Sequence, residues 1–352
     1  MKTPIALLVD DGCPLVHVYR HHWEDVHHKR PETTDGRPLT DLVPNAFLDR
    51  FCDVVERRGM AGKFSIVPAP AGKGDVVRGV AGDLEATRAW LDTAKRRLAP
   101  RFDFTPEGIT HNLAVDLATG ASLPEGENAW SQTQTRATLT PYLTHALTLL
   151  RDAGIDATGV TSPWVFGIKV EPEYIAAIVA AQRAVHGRTF SFYFLHMLHD
   201  RPSMRPWIAH EDGEATLISI PSTVGDLWWE TINSPRTDAA YVNTVTDKLL
   251  TEDGRAGKIR EVLDAGGWPV ILTHWQSLYS NGLETGIAVL DELGRRVEAA
   301  LGAEVAWASC LEMAERTVSA AARADPRHAG PLPSSPPLAS APQRDRHTSH
   351  SR

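Results

Sequence analysis

Short apolar runs alternate with amphipathic stretches along most of this chain, and the spacing reads as strand followed by helix, repeated. The segments Ile5–Val9, Lys63–Val67, Gly108–His111, Ala157–Thr161, Thr189–Leu195, Ala215–Ile220, Trp268–Thr273 and Val305–Ala308 have strand length and are bounded by turn formers. Between them the apolar positions recur at helical spacing. Phe47, Phe51, Val54 and Val55 share a face behind a potential cap at Asn45. Thr140-Pro141 opens a helix with Leu143, Leu147 and Leu150 inward and Gly154 at its end. Glu171-Pro172 opens another that carries Tyr174, Ile175, Ile178 and Val179 inward and stops at Gly187. Further helices are predicted over 237–250, 256–265, 283–301 and 311–322.

Strand then helix, about seven or eight times, predicts a parallel sheet with crossover helices. The even spacing and the lack of a nucleotide-binding glycine fingerprint favour a distorted (β/α)7-8 barrel of mostly parallel strands, filling residues 1–323 as a single catalytic domain. From 324 to 352 the chain turns to Pro, Ser, Arg and His without apolar periodicity. Such a stretch cannot offset its ordering entropy, so a disordered tail is expected there.

Composition narrows the classes of function. The 352 residues are 42% hydrophobic and 23% charged with a net charge of −8, which suits a soluble globular domain. No long basic run lies inside the predicted fold, so a nucleic-acid partner is not expected. The run Ile5–Val9 after Lys2 is too short for a secretory leader and is ended by Asp10-Asp11, and nothing approaches a membrane span. A cytoplasmic protein without a membrane partner is the expectation. Cys13, Cys52 and Cys310 are too widely spaced for a disulfide framework or zinc ribbon and read as buried thiols.

The candidate chemistry collects where strands end. Asp10-Asp11-Gly12 follows the first strand, and successive side chains there leave in opposite directions, so one carboxylate can hold a cation while the other takes a proton. An Asx turn is the plain alternative. The next stretch, with His17, Arg20, His21, His22 and Trp23, reads as a long polar and aromatic loop suited to covering a pocket. His111 ends a predicted strand with Asp116 five residues on, a metal ligand or a hydrogen-bonded turn residue. Trp164 sits in the rigid turn Thr161–Gly167, either exposed to stack on a sugar or plugging the core. Trp228-Trp229 follows the sixth strand. His274, beside Trp275 and Gln276, comes directly after a buried strand and is the strongest acid or base candidate among the fifteen histidines. His196 and His199 flank an aromatic strand and read as supporting or core residues.

With Asp10, Asp11, Gly12, His111, Ser162-Pro163-Trp164, Phe166-Gly167 and Ile271–His274 in place, the chain from about Ile5 to Glu315 resembles the polysaccharide deacetylases of the NodB-homology type, carbohydrate esterase family four, as a divergent member. Three of that family's five motifs are recognisable and in order. The resemblance implies a distorted barrel, a divalent metal, usually zinc, and hydrolysis of an N- or O-acetyl group on a sugar. It makes Asp10 the base, His274 the acid, and Asp11 and His111 metal ligands. Val115 stands where the family has a second histidine, and Asp116 takes that role only if the local backbone departs from a helix. The family's arginine beside the catalytic aspartate is missing, with Arg20 as the substitute. The carbohydrate would be bound by His17, Arg20, His21, His22, Trp23, Trp164, Trp228, Trp229 and Trp275.

Two other readings stay open. One is a glycoside hydrolase or lyase on the same barrel, with a carboxylate pair drawn from Asp10, Glu230 and Glu312. The other is a carbohydrate-binding protein without chemistry. The sugar, the acyl group and the oligomeric state are not legible.

Overall fold

The computed structural model describes residues 2–323, so the stretch 324–352 expected as a tail lies outside the described residues. Seven parallel strands form the frame: β1 (Thr3–Gly12), β2 (Gly62–Ile66), β3 (Phe102–Pro106), β4 (Gly159–Thr161), β5 (Phe190–Phe194), β6 (Thr216–Ser219) and β7 (Val270–His274). Parallel ladders join β7 to β1, β1 to β2, β2 to β3, β4 to β5 and β5 to β6. Single bridges close the two remaining seams, Phe104 to Ala157 and Glu107 to Thr161 on one side, Val224 to Ile271 on the other. The result is the expected distorted barrel. Its distortion comes from these weak seams, from the antiparallel strand Trp207–Glu211 on β6, and from Val305–Trp307, which pairs only with the start of β1.

Alternation along each strand sorts the side chains into two cores. Ile5, Leu7 and Val9 face the helical layer with Phe47 and Phe51, while Ala6 and Leu8 face the barrel interior with Phe192, Phe194, Ile218, Val270 and Leu272. Met313 and Ala314 of the helix Cys310–Arg323 pack onto the same interior cluster. Asp10 and Lys63 occupy the interior register: the Lys63 ammonium lies 5.0 Å over the Phe194 ring. None of the described helices is long and apolar enough to cross a membrane.

Several predicted elements moved. Residues 108–111 form a bent turn, and the strand is Phe102–Pro106 instead. That strand was hidden because Asp103 reads as a surface charge, whereas its carboxylate accepts from Thr158 Oγ1 and from the Leu311 amide. The polar stretch after residue 17 is a helix, Val18–Asp25. The helix Arg136–Asp152 starts before Pro141, at a Thr135/Thr138 capping box. Asn45 makes no cap and donates to the Ala86 carbonyl.

Candidate active site

Three groups of side chains meet at the end of the barrel where β1, β3 and β7 finish. The first is Asp10. Its neighbour across the β1–β7 ladder is His274, and its Oδ1 accepts from the Lys63 ammonium and, at 3.0 Å, from Ser65 Oγ. Lys63 is fully buried, with 0% of its side chain exposed, and also donates to Ser65 Oγ. Lys63 and Ser65 reach Asp10 because they are alternate residues of the neighbouring strand on its inner face. Arg20 does not play this part; its guanidinium pairs with Glu24 and Asp41.

The second group is Asp11, Glu107 and His111. Between Val9 and Gly12 the β1–β2 register shifts, and Asp11 takes a left-handed φ of 66°. This bulge turns Asp11 out of strict alternation so that it stands beside Asp10 without sharing its partner. His111 is also left-handed, φ 56°. Such backbone at non-glycine residues costs about 1–3 kcal/mol each and must be held by its surroundings. The holder of the 108–111 turn is Glu127, which accepts the amides of Ile109 (2.8 Å), Thr110 (2.9 Å) and His111 (2.7 Å) and the Tyr142 hydroxyl (2.6 Å). Gly108 is required there, since a Cβ would lie 2.4 Å from Glu127 Oε2. Burial pushes the Glu127 carboxyl up from its ordinary range against the pull of these donors. Glutamine at 127 offers one acceptor oxygen where two are used, so Glu127→Gln is expected to cost about 2–3 kcal/mol, checked by the thermal melting midpoint.

Asp11 Oδ1 lies 2.8 Å from His111 Nε2, and Glu107 Oε1 lies 3.4 Å from the same nitrogen. Glu107 Oε2 accepts the Asp11 amide at 2.7 Å. The candidate ligand atoms of the three residues lie within 4.8 Å of one another, all buried. Burial alone would raise the Asp11 carboxyl, but the adjoining His111 imidazole, with His274 and Gln276 further off, brings it well below its ordinary value. Burial opposes charge on His111, yet Asp11 and Glu107 push its pKa well up. Glu107 is raised by burial and by its neighbours Asp10 and Asp11.

The third group is His274 with Asp226. His274 Nδ1 lies 2.9 Å from Asp226 Oδ2, the same oxygen that accepts from Ser277 Oγ at 2.7 Å and the His274 amide at 3.2 Å. Burial works against the charged ring, but the bond to Asp226 and the charges of Asp11, Asp226 and Asp10 lift its pKa to about 9. The side chain keeps 26% exposure, so it reaches the cleft.

The structure separates the remaining candidates. Asp116 lies in the turn of the hairpin Leu113–Val115/Ser122–Gly126, where its Oδ1 accepts the Ala118 amide; its carboxylate closes the turn and is outside the Asp11–Glu107–His111 group. Trp228 and Trp275 are both 0% exposed and belong to the core, the latter against Phe47, Phe51 and Phe64. His17 is fully buried and caps the helix Val18–Asp25 by accepting the Arg20 amide, with burial bringing its pKa to about 4. His21 stands 3.5 Å from Glu24 and is not part of the three groups. Trp164, by contrast, is 44% exposed and its ring lies 6.1 Å from that of His111 and 5.1 Å from that of buried His22. Trp229 stands edge-on to His274 at 5.1 Å and, with Trp23 and Tyr19, lines a pocket of about 210 Å³. Of the glycosidase candidates, Glu230 pairs with Lys248, and Glu312 accepts the Ser309 amide beside the start of β3, at the other end of the barrel. Lys63, Glu107 and Asp226 carried no signal in their local sequence; strand adjacency brings in Lys63 and Glu107, and the bond to His274 brings in Asp226.

No family model and no curated protein matches the chain. Among solved structures it is similar to one named as a polysaccharide deacetylase from Mycobacterium smegmatis, at 15% identity over 78% of this chain and 77% of that one, TM-score 0.48. It is also similar to a peptidoglycan deacetylase from Bacillus subtilis, at 11% identity over 91% and 95%, TM-score 0.42. A CE4 family pseudoenzyme from Bacillus anthracis matches at 10% identity over 89% and 66%, TM-score 0.39. The functional reading below rests on the side chains.

Proposed function

We propose that this chain is a cation-dependent hydrolase that removes an acyl group, an acetyl in the first instance, from a saccharide. The observation that carries the reading is the meeting of an ion-paired carboxylate (Asp10), a ligand group (Asp11, Glu107, His111) and a carboxylate-backed imidazole (His274) at one end of one barrel. The ligand group fits a divalent cation: Asp11 Oδ1 is buried without a hydrogen-bond partner, although His111 Nε2 is 2.8 Å away. A divalent cation held there supplies Lewis acidity toward the acyl oxygen and makes bound water more acidic.

The chain's own residues supply the proton transfers. Asp10 uses Oδ1 to hold Lys63 and Ser65, which leaves Oδ2 to take the proton of the attacking water. His274 is oriented through Nδ1 by Asp226, so Nε2 is the atom that protonates the departing amine or alcohol. Trp164 and Trp229 stand on either side of these groups as faces on which a sugar ring stacks. The carboxylate pair of a glycosidase has less support, because Glu230 and Glu312 are both engaged elsewhere.

The test is acetate release from N-acetylated and O-acetylated oligosaccharides, with and without a chelator. Asp10→Asn is expected to lower turnover by about 10²–10⁴-fold, measured on the fraction that stays folded with Lys63 unpaired. Release of no acetate from any member of such a panel, with saccharide binding intact, would leave the non-catalytic reading in its place.

A further inference from the structure

We propose that the Asp11–Glu107–His111 group is built for an oxygen-preferring divalent cation, Mn²⁺ or Mg²⁺, and that Glu107 is the residue that moves it away from zinc. The inference rests on the cation site proposed above and deepens it by naming the class of ion.

The ligand set is two carboxylates and one imidazole. With His111 neutral and both carboxylates ionised, its donors are predominantly hard and anionic. Asp11 is only 3% exposed, and its Oδ1, 2.8 Å from His111 Nε2 yet without an aligned hydrogen bond among the described residues, points to a ligand beyond what an acidic cluster alone would indicate. Glu107 is held by one oxygen, Oε2, through the Asp11 amide, so Oε1 is the one on offer beside His111.

Softer donors are absent from the group. His22 is a neighbouring imidazole, its ring 6.3 Å from that of His111, but it lies outside the set of mutually close ligand atoms. Cys13 donates its thiol to the Val16 carbonyl at 3.2 Å and lies outside the set of mutually close ligand atoms. Catalytic zinc is usually held by two or three imidazole or thiolate ligands, whereas carboxylate, carbonyl and water suit Mg²⁺ and Mn²⁺. The general affinity order still favours zinc over manganese for any one site, so the readable consequence is a narrowed gap between the two ions and its widening when Glu107 is replaced by an imidazole.

The experiment is calorimetric titration of metal-stripped protein with Mn²⁺, Mg²⁺ and Zn²⁺ separately, on the parent, Glu107→His and Glu107→Gln. Glu107→His is expected to tighten zinc by about tenfold or more and to weaken manganese by a similar factor. Glu107→Gln, close in shape, is expected to weaken manganese by about 10-fold or more while the circular dichroism spectrum holds. Parent protein that binds zinc more than about 10⁴-fold tighter than manganese, or a Glu107→His variant with an unchanged ratio, overturns the inference and leaves the cation site standing. Binding of none of the three ions by the folded parent removes the site itself, and the inference with it.

Discussion

Asparagine in place of Asp226 is expected to lower deacylation by about 10²–10⁴-fold and to draw the alkaline limb of the pH–rate profile downward. A single carboxylate oxygen, Asp226 Oδ2, receives the His274 ring, the His274 amide and Ser277 Oγ. An asparagine that presents its oxygen there keeps the geometry but loses the charge, and one that presents its NH₂ turns a donor toward donors. In either case the imidazolium loses the carboxylate whose bond and charge, against the opposing effect of burial, help lift its pKa to about 9. The direction follows from linkage. His274 is raised in the folded state, so its charged form stabilises the fold fully below the ordinary histidine value of about 6.5, and that contribution is lost as pH rises through about 9. Activity that needs a protonated Nε2 fades over the same upper range, and in the variant it fades at lower pH. The profile of kcat/KM against pH, with the His274 ring followed by NMR, reads both effects. A variant whose alkaline limb stays in place would show that His274 is not the acid, or that Asp226 does not set its charge.

How far the site was legible follows from which residues announce themselves locally. Asp10-Asp11 and His274 lie at the ends of apolar runs, and any strand-end reading finds them. The frame was legible for the same reason, since β1 and β5 to β7 are mostly apolar runs of strand length, and β2 alternates. Where the strand itself was misplaced, the neighbours of His111 were misplaced with it. With the strand set at 108–111, His111 became a strand end and Asp116 its partner. With the strand at Phe102–Pro106, Glu107 is the residue that follows it and His111 is four further on, which brings both to Asp11. Lys63 was hidden differently. A lysine in an alternating run reads as the solvent face, and only a barrel with an inward-facing carboxylate on the next strand makes that face an interior. Asp226 belongs to a loop with no periodicity of its own and is assigned by its bond to His274. The tryptophans divide on burial alone, which sequence does not carry: Trp275 adjoins His274 yet fills the core, while Trp164, in a turn, stays exposed.

Removal of the Lys63 charge is the other large effect expected. Lys63→Met keeps the length and apolar contact of the side chain, including its place over Phe194, and takes away only the ammonium. Asp10, itself 4% exposed, is then left with Ser65 as its remaining partner. Breaking one half of a buried pair costs about 3–5 kcal/mol, because the other charge stays behind without water. Asp10 also loses the cation that fixes its Oδ1 and with it the aim of Oδ2 toward the cleft. Stability and turnover should therefore both fall in Lys63→Met, the first read from the urea midpoint at constant slope. The double variant Lys63→Met/Asp10→Asn separates the two causes. Its buried site carries no charge, so most of the lost stability should return, while turnover stays at the level of Asp10→Asn alone. Arginine is no rescue at this position, since a larger planar cation does not fit where the side chain is already 0% exposed between two strands and a ring. Equal stability of parent and Lys63→Met would mean that Asp10 draws its charge balance from elsewhere. The ion pair would then be a by-product of packing, with no part in holding Asp10.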